Sequence, residues 1–334
     1  MFTRIKESFK ANPSLYYAMS IAATWAGGNS LIVGMSTAQN SGIVPFFLWM
    51  LGNTLACIVF GIFALKIPKL GDVMDHPVMK FILGIMCIFQ IWVQMNGMQE
   101  ILAGLGTVSP IITKLVPITV AVAFILILLK DSIIRNILTD HGGWSIIYGI
   151  LFATTIVAFI SSGGQYNALE SGYSAAGLHD GIKKAILLLP GPFMYPVFWK
   201  YIRYNTNNTD NVKRINMKHC FIGGGLLFGF YLLFVFALSW VHFSPMLNVL
   251  KAILVILIAS STLSSSMYGL FCAVGYKAGV VLSAGTVALW QLLIPLGVMG
   301  AWTLMSSIRI YIVVASILIA VIWNATDKRK AVSR

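Results

Sequence analysis

The sequence predicts an all-α membrane protein with about ten transmembrane helices. The chain of 334 residues is 58% hydrophobic and only 10% charged, with a mean hydropathy of +0.85. Its apolar residues form continuous runs of about 20, the length that an α-helix needs to cross a bilayer, and not the short alternating segments of a membrane barrel. The basic residues lie between these runs, as in cytoplasmic loops, so the net charge of +13 does not indicate nucleic-acid binding.

Ten apolar runs are long enough to span the bilayer, and the basic residues fix their orientation. The predicted spans are residues 15–38, 43–65, 80–105, 110–130, 143–162, 185–202, 219–241, 247–274, 279–297 and 301–323. Most of the 23 Lys and Arg residues face the cytoplasm if both chain ends are cytoplasmic. We therefore predict one integral membrane domain over residues 1–334, without a removable signal peptide, in the lipid bilayer of the cell (inner) membrane.

Two of these spans contain residues that interrupt a helix. The first carries AGGNS at 26–30, and the sixth carries Pro-Gly-Pro at 190–192. Glycine pairs and proline weaken the helical hydrogen-bond ladder, and the freed backbone groups must face protein or a wet cavity. Either break alone could serve only packing. However, the first and sixth spans are the first members of two five-span halves, about 15–162 and 185–323. Breaks at corresponding positions of two halves are typical of secondary transporters built from inverted repeats.

The eighth span contains an unusual group of hydroxyl side chains. Six of them lie within seven positions: Ser260, Ser261, Thr262, Ser264, Ser265 and Ser266. Bonding back to the same helix, or to a neighbouring helix, explains one or two such residues. Hard cations take oxygen ligands, and neutral hydroxyls with backbone carbonyls suit a weakly held monovalent ion. We therefore predict a sodium site in this span.

Polar residues of the third span offer a second candidate site. Gln90 and Gln94 lie one helical turn apart near the middle of the span, where they could bind a polar solute or bond to neighbouring helices. Glu100 and Arg309 are charges within spans, and we predict that they form an external gate pair. The alternative is that Arg309 reaches the outer interface and Glu100 lies in water.

Three segments resemble the sodium:solute symporter family, whose members include choline and proline transporters. They are AATWAGGNSLIVGMSTAQNSGIVPFFLWMLGNTLACIVFGIFA at 22–64, PVFWKYIRYNTNNTDNVKRI at 196–215 and IASSTLSSSMYGL at 258–270. The resemblance is to that family's first two core helices, the end of its sixth with the basic loop after it, and its eighth. It implies the LeuT fold, with two inverted five-helix repeats, alternating access and sodium-driven uptake of a solute.

The resemblance also implies site residues. A sodium site would comprise Thr24, Gly27, Ile258, Ser261 and Thr262. Ser261 and Thr262 would contribute hydroxyls and the others carbonyls, those of the first span being placed within one residue, with Ala259 as an alternative to Ile258. A solute site would comprise Gly28, Asn29, Gln90, Gln94, Pro190 and Tyr195. The amide side chains among them suit a neutral or zwitterionic solute.

The sequence departs from the family in two respects. Many members carry an aspartate early in the fifth core helix, whereas the corresponding stretch here, GGWSIIYGILFATT at 142–155, contains Ser145 and no acid. We also expect the chain to correspond only to the ten-helix core of the family, without the extra N-terminal helix and the C-terminal helices of typical members.

These observations together predict a sodium-coupled symporter, with Na⁺ as coupling ion, that imports a small polar or zwitterionic solute. The alternatives are a non-transporting receptor or partner-binding protein on the same core, and a uniporter or proton-coupled permease. We recognise no catalytic triad, nucleotide-binding loop or metal cluster in the sequence, so we expect neither enzyme activity nor an organic cofactor.

Overall fold

The computed structural model of the chain confirms the all-α membrane fold. It describes residues 13–67, 69–129, 133–161, 175–203, 210–238, 245–292 and 298–332. All regular secondary structure within these ranges is helical. Five of the described helices contain a stretch long and apolar enough to cross a bilayer: Ile43–Lys66, Pro77–Ala103, Pro110–Leu128, Val249–Val274 and Trp302–Asp327.

Each predicted span overlaps one or two of the described helices. The α-helices, in chain order, are α1 (Pro13–Trp25), α2 (Gly28–Ser41), α3 (Ile43–Lys66), α4 (Leu70–Asp75), α5 (Pro77–Ala103), α6 (Pro110–Leu128), α7 (Ile133–Ser161), α8 (Ala175–Leu188), α9 (Pro196–Arg203), α10 (Asp210–Leu238), α11 (Pro245–Val274), α12 (Tyr276–Leu289) and α13 (Val298–Val332). Short 3₁₀ turns follow α8 and α12, at Gly191–Met194 and Trp290–Leu292. The first span is divided into α1 and α2, and the sixth into α8 and α9.

α7 and α8, which correspond to the fifth and sixth predicted spans, begin about ten residues earlier than those spans. The early turns of α8 are charged, which lowered their hydropathy in the sequence. Within the structure the Lys184 ammonium lies 2.6 Å from an Asp180 carboxylate oxygen and donates a 2.9 Å hydrogen bond to the Thr37 hydroxyl on α2. Polar groups that satisfy one another in this way can be held at a helix–helix contact.

The divided spans lie inside a shell of packed helices. α5 packs along α11, α3 packs along α10 and α8, and α1 packs along α10 and α7. Outward faces keep large apolar side chains exposed, as on a surface that contacts lipid; Ile111 on α6 and Ile322 on α13 are 69% and 62% exposed. The centre of the protein is therefore where α1, α2 and α9 meet α11, with α2 also against α5.

Candidate functional site at the two helix breaks

The first break lies between Trp25, which ends α1, and Gly28, which begins α2. Gly27 is extended there, with φ −79° and ψ 161°. Gly28 lies directly against α11, since a Cβ atom at this position would be 2.6 Å from the Cβ of Ala259. The predicted interruption is confirmed, and the glycine at its C-terminal side allows the broken helix to contact α11.

The second break faces the first. α8 ends at Leu188, a 3₁₀ turn covers Gly191–Met194, and α9 starts at Pro196. A Cβ atom on Gly191 would lie 1.8 Å from the Trp25 indole ring, so glycine leaves the space that this ring fills. The same indole meets the Tyr195 ring edge-on, with centroids 6.0 Å apart. The Trp25 side chain thus joins the two interruptions.

Three oxygen atoms converge where α11 passes the end of α1. The Thr262 hydroxyl oxygen lies 3.2 Å from the carbonyl oxygen of Ala23 and 3.1 Å from that of Ala26. A hydroxyl has one proton, so it can satisfy these two buried acceptors only by sharing that proton between them. The arrangement leaves acceptor capacity unused at this point, which suits a cation.

The two carbonyls each lie one residue before the predicted positions. The Thr24 side chain donates instead to the Ser265 hydroxyl at 2.9 Å, and the Gly27 carbonyl accepts from the Ser30 and Leu31 amides in the first turn of α2. Ala23 and Ala26 are three residues apart, so their carbonyls lie on one side of the last turn of α1. Ile258 and Ala259 are both buried in α11, one turn before the convergence.

The sequence analysis missed a buried acid beside this point. Asp140 on α7 is 1% exposed, and its Oδ1 accepts hydrogen bonds from Ser261 at 3.0 Å and Ser265 at 3.5 Å. Its Oδ2 accepts from the Asn136 amide at 3.1 Å and the Tyr201 hydroxyl at 3.3 Å. Among the described side chains, no Lys, Arg or His nitrogen lies within 4.0 Å of this carboxylate.

The expectation that the fifth helix lacks an acid is therefore wrong. The predicted fifth span began only at residue 143, whereas α7 already begins at Ile133 and brings Asp140 inside the protein. The signal in the sequence was the pair Asn136 and Asp140, which are four residues apart and therefore share one helix face.

The remaining hydroxyls of α11 divide into two groups. Ser260 and Ser266 bond back to carbonyls of their own helix, at 2.6 Å and 2.7 Å, as hydroxyls in membrane helices commonly do. Ser264 donates across to the Asn136 side chain at 3.3 Å. Four of the six hydroxyls thus reach other helices, which packing of α11 alone does not require.

Most of the predicted solute residues lie at or beside the two breaks. Gln94 accepts a 2.8 Å hydrogen bond from the backbone N–H of Gly28, and Gln90 accepts one of 3.4 Å from the Arg309 guanidinium. Pro190 and Tyr195 are both buried in the second break. The side chain of Asn29 falls outside the described part of the chain.

The structure does not bring the two predicted gate residues together. Arg309 is 4% exposed and lies beside Gln90 and Met305, with its guanidinium carbon 5.5 Å from the Tyr195 ring centroid. Glu100 is exposed near the end of α5, about 15 Å farther along that helix than Gln90. Arg309 is too deep to reach it, so the predicted ion pair is not formed here.

Comparisons with known proteins do not identify a family. No family model matches the chain, and no curated protein matches it. Among the solved structures that are similar to it is a manganese transporter from Eremococcus coleocola, in complex with an aromatic bis-isothiourea substituted compound. It is 13% identical, has a TM-score of 0.43, and the match covers 97% of this chain and 75% of that one. Similarity at this level carries no argument about mechanism.

Proposed function

We propose that the protein is a sodium-coupled secondary transporter that imports a small polar or zwitterionic solute by alternating access. The observation that carries the proposal is the convergence of the Ala23 and Ala26 carbonyls on the Thr262 hydroxyl, at a helix break that faces a second break. Broken helices at corresponding positions of two halves are the usual binding elements of such transporters.

Sodium would bind between the end of α1 and α11. The three converging oxygens are neutral, and Ser261 adds a hydroxyl that is already bonded to Asp140 at 3.0 Å. Sodium must exchange its water shell for protein oxygens, and a nearby carboxylate offsets the cost of holding its charge away from water. The ligand set of neutral oxygens beside one acid suits an ion that binds and is then released.

Both divided spans contact this proposed ion site, which gives a route for coupling. α1 contributes carbonyls, and α9 contributes the Tyr201 hydroxyl that bonds to Asp140. A sodium ion that holds α1 against α11 would favour the arrangement of the breaks in which the solute residues Gly28 and Gln94 are in place. Such an ion acts by shifting the population of conformations.

The packing of the helices also favours two repeats of five spans. The third span packs on the eighth, as α5 on α11, and the second on the seventh, as α3 on α10. In a structure with two related halves, positions two and seven correspond, as do three and eight.

Uptake into proteoliposomes tests the proposal. We expect solute accumulation driven by an inward sodium gradient, lost when Ser261→Ala and Thr262→Ala are combined and retained in Ser260→Ala, whose hydroxyl bonds only within its own helix. The proposal fails if sodium neither stabilises the parent protein nor drives uptake of any solute. Solute binding without flux would instead support a receptor.

Asp140 favours a second candidate, in which a proton is the coupling ion. Its carboxylate is surrounded by hydroxyl and amide donors and has no cationic partner among the described side chains. Intramembrane acids of this kind can carry protons in transporters. Uptake driven by a pH gradient in sodium-free buffer, and abolished by Asp140→Asn, would select the proton over sodium.

A further inference from the structure

We infer that the transported solute carries a carboxylate and that Arg309 binds it, an inference that rests on the proposed transport function. Arg309 lies on α13, which packs against α2, α5 and the 3₁₀ turn of the second break. It is therefore placed beside both interruptions and the predicted solute residues.

The surroundings of Arg309 leave its charge without a counter-ion. Its Nη2 atom lies 3.4 Å from the Gln90 side-chain oxygen and 3.0 Å from the Met305 sulfur, both of which are neutral. Its Nε atom is buried and has no partner. Among the described residues, no carboxylate lies within 4.0 Å of the guanidinium. A buried cation of this kind is costly within a membrane protein and marks a functional position.

A second donor beside the same tyrosine also lacks a partner. The Trp25 indole N–H is buried without a hydrogen-bond acceptor, and its ring lies 6.0 Å from the Tyr195 ring. The guanidinium carbon of Arg309 lies 5.5 Å from the centroid of that same ring. Two buried donor atoms without an acceptor, Nε of the charged Arg309 and the indole N–H of Trp25, therefore belong to side chains that lie beside Tyr195.

Donors without acceptors select a ligand that supplies acceptor oxygens. A carboxylate has two oxygens that match the planar fork of a guanidinium, and it cancels the buried charge. A neutral amide of the same shape would leave the charge uncompensated. The site should therefore distinguish a carboxylic acid from its own amide.

If Arg309 only stabilised the fold, its substitution would have a different effect than if it served binding. One variant tests this without any ligand. Methionine has a similar length and no charge, so Arg309→Met removes the unpaired cation while filling its space. If the residue serves binding, the ligand-free variant should melt at the same temperature as the parent or higher. If Arg309 instead stabilises the fold through Gln90 and Tyr195, the variant should melt at a lower temperature, and the inference is overturned.

Binding itself is tested with matched pairs of solutes. The probes are small carboxylic acids, among them acetate, lactate, succinate and L-alanine, each paired with its primary amide and added to the purified protein in sodium buffer. We expect thermal stabilisation by at least one acid and not by its amide. Arg309→Met should weaken that binding at least about 10-fold, and Arg309→Lys should weaken it less. Lys251→Gln, which removes a half-buried cation from α11, should bind like the parent.

Three results would overturn the inference: an amide that binds as well as its acid, acid binding unchanged in Arg309→Met, or no stabilisation by any acid of the panel. Repeating the screen in potassium buffer separates this inference from the transport proposal. If an acid binds equally well with and without sodium, sodium coupling is contradicted and the anion site is supported. If a neutral amide binds only with sodium, sodium coupling is supported and the anion site is contradicted.

Discussion

Replacing Thr262 by valine perturbs the proposed ion site at one atom. Valine keeps the shape of threonine but lacks the hydroxyl that lies 3.2 Å and 3.1 Å from the Ala23 and Ala26 carbonyl oxygens. These acceptors share a single proton, so its loss should destabilise the ion-free protein by about 1–3 kcal/mol, the cost of one buried unsatisfied group. The same change removes a sodium ligand.

The size of the sodium effect follows from mass action. Sodium at about 100 times its dissociation constant stabilises a folded protein by about 2.7 kcal/mol. An unfolding entropy of about 2.1 cal/mol/K per residue gives about 0.7 kcal/mol/K for this chain, so sodium should raise the melting temperature of the parent by about 4 °C.

Thermal unfolding of purified protein in sodium or potassium buffer of equal ionic strength measures this shift. We expect it in the parent and in Ser260→Ala, whose hydroxyl bonds at 2.6 Å to its own helix. We expect Thr262→Val to melt at a lower temperature and to show no difference between the two salts. A sodium shift that survives in Thr262→Val would refute the assignment of this hydroxyl to the ion site.

Substitutions at three further positions, two of them with a matched control, test the geometry around the breaks. Asp140→Asn should fold, because the Ser261 hydroxyl can turn to accept from the new amide, but it should reduce ion-driven uptake by at least about 10-fold; parental uptake would exclude the acid from coupling. Gly191→Ala should cost about 1–3 kcal/mol, because its Cβ would lie 1.8 Å from an indole ring, whereas Gly225→Ala, with nothing within 4 Å, should not destabilise the protein. Gln94→Ala should cost about 1–3 kcal/mol by leaving the first N–H of α2 unsatisfied, and Gln99→Ala, which removes an exposed hydrogen bond to Gln291 from the same helix, should cost less; equal unfolding midpoints would contradict this.

The fold class and both breaks could be predicted from the sequence because their signals are local. A run of about 20 apolar residues is itself the requirement for crossing a bilayer, and a Gly-Gly or Pro-Gly-Pro within it weakens the helix wherever the chain goes. Charged segments were harder. The hydropathy of α8 was lowered by Asp180 and Lys184, which neutralise each other only after the helix has formed.

The hydroxyl run of α11 was also visible, but its partners were not. Asp140 is charged, so hydropathy assigns it to a loop. Its contacts with Ser261 and Tyr201, which lie 121 and 61 positions away in the chain, appear only in the folded protein. Local hydropathy cannot report such contacts, since they depend on how α7, α9 and α11 pack together.

Arg309 shows the same limit in a different way. The sequence placed it within the tenth span and suggested a partner of opposite charge at a similar depth. The packing of α13 instead sets it against Gln90, 219 positions earlier, and against the aromatic ring that follows the second break. The depth of a residue along a helix can be counted from the sequence, but the sequence does not show which other helix packs against it.

Equilibrium binding of radioactive sodium to the purified protein tests the central claim most directly. The account predicts saturable binding to the parent and to Ser260→Ala, and none to Thr262→Val. Absence of saturable binding to the parent, or equal binding to Thr262→Val, would contradict a sodium site at the junction of α1 and α11.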